Sequence, residues 1–361
     1  MSYLLISSFL LFVPGYCLTV LANLDRFKFL HSVSLSYTLF VLLLKASQQA
    51  GMSIVGFGWG YFIIVALLVA GALIKVGLSI SPPHRVTENI LQYLKRYKLE
   101  LLSTITIALS LAFYYFRVGP FLEVPADVFR HLEFIKQMNG IVISSVQLGT
   151  TLPDAYIGAN GKFWHLLYVM LNRWSGNEPI DSILAATYLN NLIFLLGVYY
   201  FSKVVFHQSG LSEIKLLAVS LAVTALFFLY YGVNIFSFIR YYALAPVMLN
   251  MVLYFTIMAI VIQFFRERDW RIIEIISAIL IFTAGALIHK QEALFVVVMV
   301  LLMSGYYFVK RIMTGSSLGT SDSQSSLLSL GKAKSVVVFI PLMTATIFLY
   351  VYSVLELKRN K

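Results

Sequence analysis

Residues 58–80 read GWGYFIIVALLVAGALIKVGLSI, and this stretch decides the fold. It carries a single charge, Lys75. As a helix it is long enough to cross a hydrocarbon core roughly 30 Å thick, which takes about 20 residues. Lipid offers no partner to a free backbone N–H or C=O, so a segment of this kind crosses as a helix. Apolar and polar residues do not alternate along it, as they would along a membrane barrel strand. Blocks of the same kind recur at residues 2–22, 30–46, 100–116, 182–203, 215–232, 244–265, 272–289, 292–309 and 335–354. The expected fold is therefore an all-α, polytopic helical membrane protein with about ten transmembrane helices.

Composition agrees. The chain is 60% hydrophobic and 12% charged, whereas a soluble domain carries roughly 25% charged residues. The net charge of +11 raises the question of nucleic acid, but the basic residues sit in short loops between spans. Arg26 and Lys28, then Lys95, Arg96 and Lys98, then Arg266, Arg268 and Arg271 all fall on one side of the expected topology. The short loops of the other side hold only Lys45, Arg240 and Lys290. That is the positive-inside pattern rather than a phosphate-binding patch for nucleic acid. It predicts an integral, multi-pass protein of the plasma or inner membrane with its N-terminus outside the cytoplasm. Met1–Phe12 has no basic residue, so the first block reads as a span and not as a signal peptide. The lone Cys17 excludes an internal disulfide and a cysteine zinc site.

The connections divide the chain. Residues 1–99 comprise three spans and a basic amphipathic interfacial segment at 81–99. Residues 100–310 form a core whose long outer loop, 117–181, contains periodic apolar, aromatic and charged residues. Residues 311–334 are a Ser/Gly-rich linker, and 335–361 hold the last span and a tail. A loop as long as 117–181 with that much pattern is expected to fold and to carry function.

Within it, residues 124–140 read VPADVFRHLEFIKQMNG. Pro125 suits a first helical turn, Asp127 a helix N-terminus and Gly140 a C-terminal stop. Val128, Leu132, Ile135 and Met138 recur at helical spacing, so one face can lie on the membrane surface. Asp127, Arg130, His131 and Phe134 share the adjoining face. Asp127 reads equally as a helix cap or as a carboxylate that takes a proton from an acceptor hydroxyl or amine. Arg130 and His131 would then orient it or contact phosphate.

Further along, PDAYIGANGKFWHLLYVMLNRWSG (153–176) places Lys162 and His165 beside an apolar stretch at 163–171. It is too short to span and is expected to be re-entrant or interfacial, with Trp164, Tyr168 and Trp174 in an aromatic belt. Lys162 by itself reads as a snorkelling side chain. Two more outer ends carry charge against the orientation rule: FSFIRYYALAP with Arg240 and Tyr241, and IHKQEALF with His289 and Lys290. Either a bound phosphate or a Lys290–Glu292 ion pair would offset that charge.

These four segments, in this order, resemble the GT-C superfamily of membrane glycosyltransferases, in particular the protein O-mannosyltransferases and the lipid A aminoarabinose transferase. FRVGPFLEVPADVFRHLEFIKQMNG is similar to the family's exit from a span into a juxtamembrane helix, with Asp127 at the catalytic aspartate position. GKFWHLLYVMLNRWSGNEP resembles the following short helix, and SFIRYYALAP and ALIHKQEALF resemble later outer-end motifs. The likeness covers roughly residues 105–310. Three spans precede the family's usual first one, Val128 replaces a second acidic residue, and many relatives continue beyond the tenth span, so the chain reads as a minimal or C-terminally truncated member.

The resemblance implies inverting transfer of a sugar from a polyprenyl-phosphate carrier to an extracytoplasmic lipid, glycan or protein. Asp127 would be the general base. Arg130, Arg240, Tyr241, His289 and Lys290 would bind the donor with its phosphate, and His131, Lys162 and His165 would line the sugar site. No metal or other cofactor is expected, since the loop has no Asp-x-Asp pair. The partners are the lipid-linked donor, membrane lipids and the acceptor. A transporter would need charges at span centres, which are nearly free of them; a non-catalytic subunit of cell-envelope assembly is the other alternative.

Overall fold

The computed structural model describes residues 2–79, 84–115, 130–140, 162–207, 211–232, 246–267 and 271–315. All regular structure among them is helical. The helices are α1 (Ser2–Leu21), α2 (Lys28–Gln49), α3 (Ile54–Ser79), α4 (His84–Phe113), α5 (130–140), α6 (Lys162–Ser175), α7 (Ile183–Phe206), α8 (Glu213–Gly232), α9 (Val247–Glu267), α10 (Ile272–Ile288) and α11 (Lys290–Gly315). Five of them, α1, α2, α3, α7 and α9, contain stretches long and apolar enough to cross a bilayer. Shorter apolar stretches lie in α10 and at 293–307 of α11. The chain is therefore a multi-pass helical membrane protein. The expected linker begins inside α11, which continues through residues 311–315; the rest of the linker and the span expected at 335–354 lie outside the described residues.

One boundary differs from expectation. The basic segment at 81–99 does not end before the next span; α4 runs unbroken from His84 to Phe113. The junction QYLKRYKLELL holds neither Gly nor Pro and is rich in helix formers.

Polar residues set the packing. The most apolar span, α3, is the least buried, and it turns Leu67, Leu73, Ile74 and Leu78 outward. By contrast α2, with Ser32, Ser34 and Ser36, lies inside. In lipid, apolar faces gain nothing by leaving the solvent, so small and polar residues hold the helices together. Gly15 shows the contact at its closest: its N–H donates to Ser36 Oγ at 2.7 Å, and a Cβ there would run into the Ser32 carbonyl. Across α2, Ser34 Oγ meets Thr256 Oγ1 of α9 at 2.7 Å. Beyond that, α9 packs Val252 and Phe255 against Gly197 of α7.

One end of the bundle is closed by cations. Helix α1 stops where Asn23 takes a left-handed conformation (φ 56°), with Leu24 N–H bonded back to Thr19 O at 2.8 Å, a helix-ending turn that asparagine tolerates. The carbonyls freed there accept from Lys75 of α3: Val20 O at 2.8 Å and Leu21 O at 3.0 Å, with Asn23 Oδ1 at 2.7 Å. A lysine at a helix C-terminus also meets the negative end of its dipole. Arg271, at the start of α10, donates to Asn23 O at 2.7 Å and to the buried Glu274 carboxylate at 2.9 Å. Lys203 of α7 pairs with Glu100 of α4 at 2.9 Å.

Candidate functional site

The opposite end is built differently, from α5 and α6, neither of which spans. Leu132, Ile135 and Met138 form the apolar face of α5, as the spacing requires. That face does not lie on the membrane surface. The three side chains are buried in the protein core, because the bundle itself supplies an apolar surface to cover them.

Helix α6 also departs from expectation. Residues 163–172 are buried on every side, so α6 is an internal plug. Trp164 and Tyr168, expected in an aromatic belt, are fully enclosed. Tyr168 donates from its hydroxyl to Pro179 O at 2.9 Å and packs on Tyr3 at the start of α1, ring centroids 5.8 Å apart. Ser182, just before α7, donates to the Asn172 side-chain carbonyl. Trp174 lies flat on Tyr61 at 5.7 Å, with Phe40 and Phe62 at its edges. The polar tips of Tyr168, Asn172 and Ser182 bond to one another, which lets so apolar a helix sit inside without orphaning them. Gly176, at φ 69°, ends the helix.

Two of the residues singled out from sequence meet here. His131 Nδ1 of α5 lies 2.8 Å from His165 Nε2 of α6. The rings are inclined at 45° with centroids 5.1 Å apart. Phe134 covers His165 at 5.7 Å, and the exposed Arg130 guanidinium sits 5.8 Å above Phe134. His165 is wholly buried, and its Nδ1 has no hydrogen-bond partner among the described residues. Burial, and to a lesser degree the neighbouring His131, push the His165 imidazole down to about 3. It is a neutral ring at any ordinary pH.

His289 is the residue after α10, in extended backbone. Helix α10 starts beside Asn23 at the cation-closed end, so His289 lies at the same end of the bundle as α6. Its carbonyl accepts from Asn250 Nδ2 of α9 at 3.3 Å. Asn250, a buried amide in an apolar helix, was not singled out from sequence, although a polar group at membrane depth is the signal that finds it. Lys162 and Lys290 open α6 and α11, and their side chains lie outside the described residues. So do Asp127, Arg240 and Tyr241 altogether. Among the described residues no three His, Cys, Asp or Glu side chains gather as a metal site would need.

The profile of a family of unknown function, DUF6541, matches residues 8–354. No curated protein and no solved structure matches.

Proposed function

This chain belongs to the DUF6541 family, and we propose that it is a GT-C-type glycosyltransferase that moves a sugar from a polyprenyl-phosphate carrier to an extracytoplasmic acceptor. The observation that carries the reading is the His131–His165 contact. It joins two short helices that do not cross the membrane, at one end of the bundle, within the segments whose motifs resemble that superfamily. Two imidazoles in contact offer hydrogen-bond donors and acceptors that an enzyme handling hydroxyls and phosphate can use.

In the proposed reaction Asp127, four residues before His131, takes the proton of the acceptor hydroxyl or amine. The acceptor atom bonds to the anomeric carbon from the face opposite the phosphate. The carbon–oxygen bond to phosphate then breaks, and its electron pair leaves on the lipid phosphate. Arg130, Arg240, Tyr241, His289 and Lys290 bind that phosphate, where fixed positive charge and donors lower the barrier most. Lys162 and the histidine pair border the sugar. The site faces away from the cytoplasm, since Lys28, Lys75, Lys203 and Arg271 gather at the other end. The proposed setting is the plasma or inner membrane.

The test is transfer of labelled sugar from polyprenyl-phosphate-sugar in proteoliposomes, wild type against Asp127→Asn. The variant should bind donor yet transfer about 10³-fold more slowly, within the range for loss of a general base. Equal rates would remove Asp127 from the mechanism. A wild type that neither binds donor nor transfers would remove the enzyme class.

A further inference from the structure

The two outer-end segments that carry charge against the orientation rule meet through one side chain. FSFIRYYALAP leads directly into α9, and IHKQEALF spans the end of α10 and the start of α11. Asn250, in the first turn of α9, is buried and donates from Nδ2 to the His289 carbonyl at 3.3 Å.

His289 is the whole connection between α10 and α11. With no loop to absorb error, the two torsions at this residue set where α11 points and where the His289 side chain leaves the backbone. They are extended, φ −150° and ψ 114°, and both main-chain polar groups of the residue are held. Its N–H donates back to Gly285 O at 2.9 Å and closes the last turn of α10. Its carbonyl accepts from Asn250. Gly285 makes room for the amide, since a Cβ there would come within 3.1 Å of Asn250 Oδ1. Asn250 therefore lies in a notch on the last turn of α10, with Oδ1 against Gly285 and Nδ2 on the His289 carbonyl.

Helix α10 packs on α6, so the clamped residue stands beside the cap that holds the His131–His165 contact. An amide at membrane depth is costly. Where this bundle joins helices along their lengths it uses hydroxyls, as at Ser34 and Thr256. Asn250 instead directs its donor to the backbone of the one residue between two helices. A carbonyl at a helix C-terminus carries partial negative charge and would repel a phosphate brought to His289. The Asn250 N–H covers it.

We infer that Asn250 is a positioning residue for the donor: seated in the Gly285 notch, it fixes the α10–α11 break so that His289 is presented to the phosphate of the polyprenyl-phosphate sugar. The identity of the anion rests on the glycosyltransferase reading. The clamp itself rests on the bonds at His289. Asn250 acts through that backbone, so its loss weakens the grip on the phosphate and leaves the grip on the lipid tail intact.

The test is binding of two lipids to the full chain in nanodiscs, polyprenyl phosphate and the uncharged polyprenol, read by native mass spectrometry. Wild type should prefer the phosphate. Asn250→Leu keeps the volume and removes the donor. It should weaken phosphate binding about tenfold, as expected when a buried carbonyl loses its partner, and leave polyprenol binding unchanged. A bundle merely loosened between α9 and α10 would lose both lipids together. Equal phosphate affinity in the variant, or a parallel loss of both lipids, would overturn the positioning role. Gly285→Ala is the milder variant, because one methyl displaces the amide without removing it. It should weaken phosphate binding about threefold. Combined with Asn250→Ala, which leaves no amide to displace, it should cost nothing further, and additive losses would sink the clamp. Transfer from polyprenyl-phosphate-sugar separates this idea from the enzyme class. If wild type transfers and Asn250→Leu keeps the same donor KM, the clamp is lost and the glycosyltransferase stands. If wild type transfers nothing and prefers neither lipid, the glycosyltransferase reading fails, and the anion assigned to His289 goes with it.

Discussion

The seam between α1, α2 and α9 and the cap formed by α5 and α6 are both buried and both held by polar side chains, yet they use opposite chemistry. In the seam the bonds run from Gly15 N–H to Ser36 Oγ and between Ser34 and Thr256, groups that carry no charge at any physiological pH. In the cap the corresponding contact joins two imidazoles, and His165 Nδ1 finds no partner among the described residues. A hydroxyl bonded to a hydroxyl supplies cohesion and nothing further. An imidazole pair supplies cohesion and a choice of proton position. The difference separates what holds this membrane protein together from what equips it to act on a substrate.

The comparison can be broken first at Gly15, where the largest effect is expected. Gly15→Leu would press a side chain into the Ser32 carbonyl, and its Cβ would lie 2.6 Å from Ser36 N. Backbone cannot yield that much, so α1 and α2 should separate and no monodisperse protein should be recovered by size exclusion. Gly60→Leu is the control: a Cβ at Gly60 meets nothing within 4 Å, and the protein should behave as wild type. Equal recovery of both would deny the seam its role.

Next comes pH. The folded His165 sits at about 3, below its unfolded value of about 6.5. Between these values the unfolded chain binds a proton that the folded chain refuses, so stability rises with pH across this window. It is complete above about 6.5 and falls as the pH drops. Going from pH 7 to pH 5 should remove about 2 kcal/mol in a reversible detergent-unfolding assay, and His165→Phe should abolish that dependence. An unchanged slope in the variant would place the titration elsewhere.

What was legible in the sequence follows the same division. The spans were readable because lipid enforces length and apolarity residue by residue; α7 at 183–206 and α9 at 247–267 begin and end within a few positions of expectation. The membrane-surface placement of Leu132, Ile135 and Met138 failed for a definite reason. An apolar stripe declares that it must be covered, and it does not declare whether lipid or protein covers it. The same ambiguity misplaced Trp164 and Tyr168. His131 and His165 were each marked by their position in a patterned loop, but their contact spans 34 positions and no local spacing encodes it. The role of Lys75 was hidden likewise, since its acceptors are freed only by the turn at Asn23.

Smaller effects sharpen the contrast. Thr256→Val removes the bonds to Ser34 Oγ and to the Leu30 carbonyl at 3.1 Å. Interhelical bonds of this kind in membranes average about 0.6 kcal/mol, and the loss should be the same at pH 5 and pH 8 because neither hydroxyl titrates. A pH-dependent loss would mean that the seam is electrically coupled to the cap.

The smallest effect is expected at Lys203 and Glu100, a charged contact of 2.9 Å whose two side chains are each 24% exposed. It belongs to neither class, for its partners are ionised, paired with each other and within reach of water. Lys203 also lies near the Tyr199 and Tyr200 rings, 5.9 and 5.8 Å from their centroids, which hold the ammonium in place whether or not the carboxylate is charged. Glu100→Gln should therefore remove only about 0.5 kcal/mol, as for pairs that water still screens. Half-molar salt should erase most of that difference, because the screening length falls to a few ångström. A loss several times larger, insensitive to salt, would mean that this pair is as enclosed as His165. The line between cohesive and chemically active polarity would then not follow the two ends of the bundle.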